Sequence, residues 1–197
     1  MIQIINNPEY CKIYDGSQLH PDFAYSQGAK GDSIVIWLAP AKVSEHLVDL
    51  EDLKNKDFIV SKSMLHMIIT IQGNSITEAV LWQRLFMQTI YGWICSNLSG
   101  LSLFMSCLIG DDILMKREIE VCFRKLSVSI ATVSPTKMLI HIGLNWKAEK
   151  APVPTFDLTE FLTDDEDVAR RTGLNISCEI SNAIHSVRRA SFKVSTF

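Results

Sequence analysis

Apolar positions along the chain follow two different periods, and the change between them outlines the elements. Ser33-Ile34-Val35-Ile36-Trp37-Leu38 is a short apolar run rich in β-branched and aromatic residues. It predicts a buried strand ended by Pro40. Phe58 to Ser61 predicts a second short strand. Met64 to Gln72 is ambiguous, because Ile68-Ile69-Thr70-Ile71 favours a strand while Met64-Leu65-His66-Met67 also suits a helix. The β-branched half decides for a strand. After Asn74 or Ser75, either of which can cap a helix with Glu78 in the first turn, the period lengthens. Ile76, Val80, Gln83, Met87, Ile90, Ile94 and Leu98 fall within about 40° of one line at helical spacing, the width of a buried stripe. Ser99-Gly100 closes that helix. Strands are then expected at Leu101–Leu108, Ile119–Phe123, Leu126–Val133 and Met138–Trp146, the last two joined as a hairpin through Ser134-Pro135-Thr136. Ala151-Pro152-Val153-Pro154 reads as a linker. Thr163-Asp164-Asp165-Glu166 reads as a capping box. A last helix follows, with Ile176, Ile180, Ile184, Val187 and Ser191 in phase and Arg188, Arg189 and Lys193 at its C-terminal end. Strands interleaved with two long helices, and a hairpin at the end, give an α+β fold with a mostly antiparallel sheet packed by helices.

Composition narrows the partners. In 197 residues, 47% hydrophobic and 21% charged residues describe a globular chain with a sizeable core. A net charge of −3 gives no bulk attraction for nucleic acid, and none is expected as a partner. The longest apolar stretch, around 76–109, is interrupted by Gln83, Arg84, Gln88 and Asn97, so no membrane span is expected. The first residues lack the basic and apolar regions of a signal peptide, and a cytoplasmic location is expected. The five cysteines, at 11, 95, 107, 122 and 178, form no CxxC pair. They suit reduced, mostly buried thiols and argue against zinc.

Several polar residues stand out against their surroundings. Asp111 and Asp112 are adjacent carboxylates suited to a hard cation such as Mg2+, or to an acidic turn after a buried strand. An extended backbone would send them to opposite faces. His66 and His141 sit in apolar runs, where a histidine is either a satisfied core residue or an acid–base group. Ser127 and Ser129 share one face of their strand, and Thr132 faces the other way. Asn145 either orients a ligand or caps the turn after its strand. The turn Gly28-Ala29-Lys30-Gly31-Asp32 could offer backbone N–H groups to a phosphate. Gln83, in an apolar stripe, requires a buried partner, and Arg84 can pair with an acid.

Taken together, strand 64–72, the long helix, strand 101–108, Asp111-Asp112-Ile113, Arg124-Lys125-Leu126-Ser127-Val128-Ser129-Ile130 and a strand ending Gly143-Leu144-Asn145 resemble the core of the biotin and lipoate protein ligase superfamily. The likeness covers roughly residues 60–147. The chain also resembles, more closely, the domain-of-unknown-function family 366. That likeness is carried by Tyr14-Asp15-Gly16-Ser17-Gln18-Leu19, Gly31-Asp32-Ser33-Ile34-Val35, Met64-Leu65-His66, Gln83-Arg84-Leu85, Gly110-Asp111-Asp112, Lys125 to Thr132 and Ile140 to Asn145.

The resemblance implies a ligase-like α+β domain over 1–150, with 151–197 a linker and helical segment packed on it. It implies a small carboxylate, acyl group or nucleotide as ligand, with ATP and Mg2+ as cofactors; a homodimer, through an exposed sheet edge and the C-terminal helix, is expected as well. It sets Lys125 where the superfamily grips a substrate carboxylate or carbonyl; the competing reading is a surface lysine opening a strand. The expected catalytic set is Lys125, His141 and Asp112. The expected ligand-binding set is Gly28, Gly31, Asp32, His66, Ser127, Ser129 and Asn145, with Asp111 and Asp112 for Mg2+. Where biotin ligases carry a Gly-Arg-Gly-Arg loop, this chain has Gly28-Ala29-Lys30-Gly31-Asp32, without arginine. The glycine that follows Lys-Leu-Ala in those ligases is Val128 here. These departures leave a non-catalytic binding module, or a structural homodimer, as the alternatives.

Overall fold

The computed structural model describes residues 2–7, 10, 12–43, 54, 59–97, 103–148, 151 and 153–194. Its main sheet holds β1 (Gln3–Asn6), β2 (Ser33–Val43), β3 (Ile59–Gln72), β7 (Ser127–Val133) and β8 (Lys137–Lys147), in the order β1-β2-β3-β8-β7. β1 runs parallel to β2, and the other pairings are antiparallel. A smaller antiparallel sheet orders β4 (Phe104–Ile109), β5 (Asp112–Arg117) and β6 (Arg124–Lys125). The long helix α2 (Ile76–Asn97) and the final helix α3 (Glu166–Ser191) pack on one face of the main sheet and on each other. A four-residue helix, α1 (Phe23–Ser26), belongs to the segment that covers the opposite face. The fold is α+β, mostly antiparallel and packed by helices.

Two covered faces explain the central strand. From Met64 to Ile71 every residue of β3 is buried. Leu65, Met67, Ile69 and Ile71 join the helix-side core, while His66 and Ile68 face Tyr14, Phe23 and Trp37. A strand buried on both sides loses its alternation, which is why its sequence also suits a helix. Gly173 lets α3 come close: a Cβ there would lie 2.8 Å from Ile36 Cγ2 and 3.0 Å from Leu65 Cδ1.

Several boundaries differ from the sequence reading. β2 continues past Pro40 to Val43, with its register shifting between Ala39 and Ala41. Pro40 sits where its carbonyl accepts from Tyr14 N–H (2.9 Å) and no N–H is required of it. The two strands expected at 58–61 and 64–72 join as one, β3, from Ile59 on, with Phe58 outside the described residues. Gln3–Asn6, not read as a strand, pairs with β2. Ile119–Phe123 is not a strand: Ile119 and Val121 are 90% and 92% exposed. The strand is instead Asp112–Arg117, folded back on β4 through Gly110-Asp111, with Gly110 at φ 64. Leu101, Leu98 and Ser99-Gly100 lie outside the described residues.

The helices also depart in detail. Ser75 caps α2 by accepting from Glu78 N–H (3.2 Å). Ile76 is exposed, whereas Ala79, Trp82 and Phe86 are buried beside Gln83, Met87, Ile90 and Ile94. The buried arc is broad because α2 contacts both β7 and α3. Asp165, not Thr163, caps α3, its side chain accepting from Asp167 and Val168 N–H. Pro154 and Thr155 are bonded to Lys125 rather than forming a loose linker. Cys95, Cys122 and Cys178 are exposed and Cys107 is half-buried, contrary to the buried thiols expected.

Leu126 joins the two sheets. Its N–H donates to Ile113 of β5 (2.9 Å), and its carbonyl accepts from Asn145 of β8 (2.9 Å).

Candidate functional site

Lys125 stands opposite Leu114 in the small sheet. Ile113 and Met115 point into the core, so Asp112, Leu114 and Lys116 take the outer face, and Lys125 shares it. The backbone there is fixed on three sides. Lys125 N–H donates to Pro154 O (2.8 Å), and its carbonyl accepts from Phe156 N–H (3.0 Å) and from Asn145 Nδ2 (3.1 Å). Asn145 is 4% exposed, so it holds this strand from below. The Lys125 ammonium meets Asp112 at 2.8 Å, with the two side chains 31% and 36% exposed. An ion pair so open to water contributes about 0–1 kcal/mol.

Asp111 faces away from that pair. Its carboxylate meets the Arg84 guanidinium, accepts from Gln83 Nε2 (3.0 Å) and accepts from Ser129 Oγ (2.8 Å). Burial pushes the Asp111 carboxyl up, but Arg84 and Ser129 outweigh it and hold the carboxyl below its ordinary value. Gln83 Nε2 also lies 2.7 Å from Ser129 Oγ, so the stripe's glutamine has buried polar partners. Ser127 Oγ accepts from Ile113 N–H (2.9 Å). Ser127 and Ser129 thus lock the hairpin to the main sheet on the helix side.

The histidines lie on the opposite face. His66 and His141 are buried, with His66 Nδ1 3.1 Å from His141 Nε2. The Ala39 carbonyl, 3.2 Å from His66 Nε2, can only accept. His66 therefore carries its proton on Nε2, and His141 Nε2 donates to His66 Nδ1. Tyr14 stacks on His141 with ring centroids 3.8 Å apart, and Trp37 stacks on His66 at 4.8 Å. Desolvation holds His66 down at about 3; His141 is also held well below its ordinary value, by burial and then by His66. Both are neutral at pH 7. His141 lies four residues from Asn145 along β8, about 13 Å from the strand end that holds Lys125. Over Gly143, between them, Met64 and Val128 close in: a Cβ there would meet Met64 Sδ, with Val128 Cγ2 at 3.0 Å.

The Gly28–Asp32 turn is elsewhere. Ser33, just after it, is level with Thr70, Leu139 and Thr132. Leu38 is level with Leu65, Leu144 and Ser127, next to Lys125. Five residues along the strand and three strand spacings put the turn about 20 Å from Lys125. Its polar groups are largely engaged within the fold. Gly28 N–H donates to Tyr25 O (2.9 Å), Ala29 N–H to Ala24 O (3.0 Å) and Lys30 N–H to Gln3 Oε1 (2.5 Å). Asp32 accepts from Gln72 N–H (2.8 Å) and pairs with Arg188 (2.6 Å). Asp111 is saturated and Asp112 is paired. Among the described residues no group of three or more His, Cys, Asp or Glu side chains could hold a metal ion. The residues assigned from sequence to ATP–Mg2+ do not fit that group as one site.

The structure therefore brings together Lys125, Asp112 and Asn145. It separately joins Asp111, Ser127 and Ser129 with Gln83 and Arg84, and it pairs His66 with His141. Sequence reasoning missed Tyr14 and Trp37, which enclose the histidines. No local pattern marks Trp37, since β2 is apolar without a break from Ile34 to Leu38; it stands opposite His66 through the β2–β3 register.

A two-sheet α+β fold with helices on one face is shared with biotin and lipoate protein ligases. The chain is similar to biotin protein ligase from Aquifex aeolicus at 16% identity, TM-score 0.53, over 97% of this chain and 72% of that one. It is similar to a bipartite lipoate protein ligase from Thermoplasma acidophilum at 13% identity, TM-score 0.52, over 93% and 83%. At such identities the likeness is one of fold. A protein of unknown function from Pyrococcus horikoshi is similar over 100% of both chains, at 29% identity and TM-score 0.82. The family described as "Domain of unknown function (DUF366)" matches residues 3–195, and the chain belongs to it. No curated protein matches the chain. No helix among the described residues is long and apolar enough to cross a membrane.

Proposed function

We propose that this protein binds a small carboxylic acid or acyl group at Lys125, with the ammonium as an electrostatic clamp and without adenylating it. The observation that carries this reading is the Lys125–Asp112 pair, a cation on a three-point backbone anchor whose partner is half-open to water. A surface pair adds little stability, so a ligand carboxylate can replace Asp112 at small cost. Leu114, beside Lys125 on the same face, offers an apolar seat for the ligand's carbon chain. The fold shared with biotin and lipoate ligases supports a carboxylate as the recognised group. The engaged Gly28–Asp32 turn and the saturated Asp111 favour binding over ATP-dependent chemistry. His141 and His66 stand apart from Lys125 and have no part in this reading. Homodimerisation and a cytoplasmic location remain expectations; the exposed Met105 and Ile109 of the small sheet give a dimer apolar surface to cover, and sedimentation decides.

The test is thermal unfolding against octanoate, lipoate, biotin, an acyl adenylate and ATP–Mg2+. A ligand at a hundredfold excess over its Kd stabilises the fold by about 2.7 kcal/mol, raising Tm by roughly 5–10 °C. The shift should vanish in Lys125→Ala. A wild type unmoved by every acid and acyl compound, or a shift that survives in Lys125→Ala, refutes the reading.

A further inference from the structure

The free edge of the small sheet is a surface with a definite complement. β4 has β5 on one side and, among the described residues, no strand on the other. Leu103 O accepts from Glu118 N–H across the hairpin (3.0 Å). In the alternation of an antiparallel pair, Leu103, Met105, Cys107 and Ile109 therefore turn their backbone groups to β5. Phe104, Ser106 and Leu108 turn theirs to the open edge. Of these outward groups, the Ser106 carbonyl accepts from the Tyr91 hydroxyl (3.1 Å) and keeps a second lone pair. Folded chains guard such an edge with a charge, a proline or a bulge. Phe104-Met105-Ser106-Cys107-Leu108-Ile109 has none of these.

Its side chains decide what fits. On the outer face of β4, Met105 is 49% exposed and Ile109 64%, with Cys107 half-buried between them. A strand added here must bring apolar residues at alternate positions, and β4 itself does so. Laid antiparallel to a second copy about a two-fold axis, it keeps outer side chains beside outer side chains only when the axis falls on a residue. An axis at Cys107 sets Cys107 beside its own copy and Met105 beside Ile109, while Ser106 and Leu108 exchange backbone hydrogen bonds. An axis at Ser106 would crowd the two Tyr91 hydroxyls together at the centre. The antiparallel sense also matches charge. Asp112 stands beside Ile109, and Lys116 beside Met105. Each outer row then runs from Asp112 and Ile109 of one copy to Met105 and Lys116 of the other. Those charges are three strand spacings apart, about 14 Å, so they favour this sense of pairing only weakly.

We propose that this protein self-associates by pairing β4 with β4 of a second copy, antiparallel and centred on Cys107, to make one six-stranded sheet. A two-fold pairing uses both free edges and stops at two chains. The edge bonds belong to β4 and the cation clamp to β6, so the pairing stands whether or not a ligand binds at Lys125.

Sedimentation and disulfide trapping test it together. A concentration series of the full chain should show a reversible monomer–dimer equilibrium. Ile109→Lys changes an exposed side chain and should fold normally, yet weaken the dimer about tenfold or more by setting a cation against Met105 of the second copy. Residues opposed at a non-hydrogen-bonded position lie about 4.5 Å apart at Cα, within disulfide range. With the other four of the five cysteines replaced by serine, mild oxidation should therefore link two chains through Cys107. In a chain without cysteines, Met105→Cys and Ile109→Cys should cross-link when the two variants are mixed and not when either is alone. A chain that stays monomeric at every concentration overturns the proposal. A dimer that Ile109→Lys leaves intact has its contact elsewhere and overturns it too. Cross-links from Met105→Cys alone would move the axis off Cys107 and overturn the pairing described.

Discussion

Lowering the pH from 7 to 5 should destabilise this fold through its buried histidine pair. The folded protein holds His66 at about 3, whereas an unfolded histidine titrates near 6.5. Between those values the unfolded chain takes up a proton that the folded chain refuses. Stability is therefore fully present above pH 6.5 and declines as the pH falls towards 3. At pH 5 the gap below 6.5 is 1.5 units, which at about 1.36 kcal/mol per unit makes roughly 2 kcal/mol for His66 alone. His141 is held down in the same direction by burial and by His66, so it adds to the loss. The groups packed on the pair are the rings of Tyr14 and Trp37 and the Ala39 carbonyl. Burial keeps the Tyr14 phenol neutral throughout, and Asp15, next in sequence, raises its pKa further. Asp111, Glu120 and Asp164 are held below their ordinary values of 3.8, 4.5 and 3.8, so they act below this window. Urea unfolding at the two pH values is the assay. With a slope of about 2 kcal/mol per molar, the midpoint should fall by about 1 M or more. Nitrogen chemical shifts of the two rings at pH 7 should show neutral tautomers with His66 protonated on Nε2. Equal midpoints at pH 5 and 7 would refute the buried neutral pair.

Other substitutions probe separate parts of the fold. Gly173→Ala gains about 1 kcal/mol of helix propensity but forces a methyl against Ile36 and Leu65, so Tm should fall by a few degrees rather than rise. Asp111→Asn removes the charge that Arg84, Gln83 and Ser129 converge on, costing about 1–2 kcal/mol in denaturant unfolding at pH 7. Glu160→Gln strips Arg124 of a two-point partner at 2.7 and 3.0 Å and Arg117 of its own, lowering stability by about 1–2 kcal/mol. Asp112→Asn should tighten carboxylate binding at Lys125 in the thermal assay, because it removes the internal competitor; weaker binding would make Asp112 part of the ligand's own contacts.

Long, strongly patterned elements were readable from the residues. The cap at Ser75, the helix behind it, the strand through Ile68–Ile71 and the hairpin into Met138–Trp146 all carry their period locally. β5 did not show itself, because a two-residue turn hides the reversal and its core contribution is only Ile113 and Met115. Ile119-Glu120-Val121-Cys122-Phe123 alternates like a strand, yet its apolar side chains point to water, and alternation alone does not say which face is buried. The need of Gln83 and Arg84 for partners was legible, since a buried amide and a helix arginine require them; Asp111 as the shared partner was not. The histidine pair lay deeper. His66 and His141 are 75 residues apart and meet only because the β3–β8 register sets Ile68 beside His141 and Gly143 beside His66. A slip of one residue would send one of them to the other face of the sheet. The same register separates the Gly28–Asp32 turn, at the β2 side of the main sheet, from Lys125, which lies in β6 of the small sheet beyond the far strand of the main one.

Leu126 gives one hydrogen bond to each sheet, and the chain carries no slack on either side of it. Counting residues there is therefore a reading frame. One residue inserted after Lys125 would turn Ser127 and Ser129 outward and bring Val128 inward against α2. Asp111 would lose its hydroxyl partner, and the hairpin would lose its latch to the main sheet. In this stretch substitutions alter the strength of the protein, but a change of length alters which face it presents.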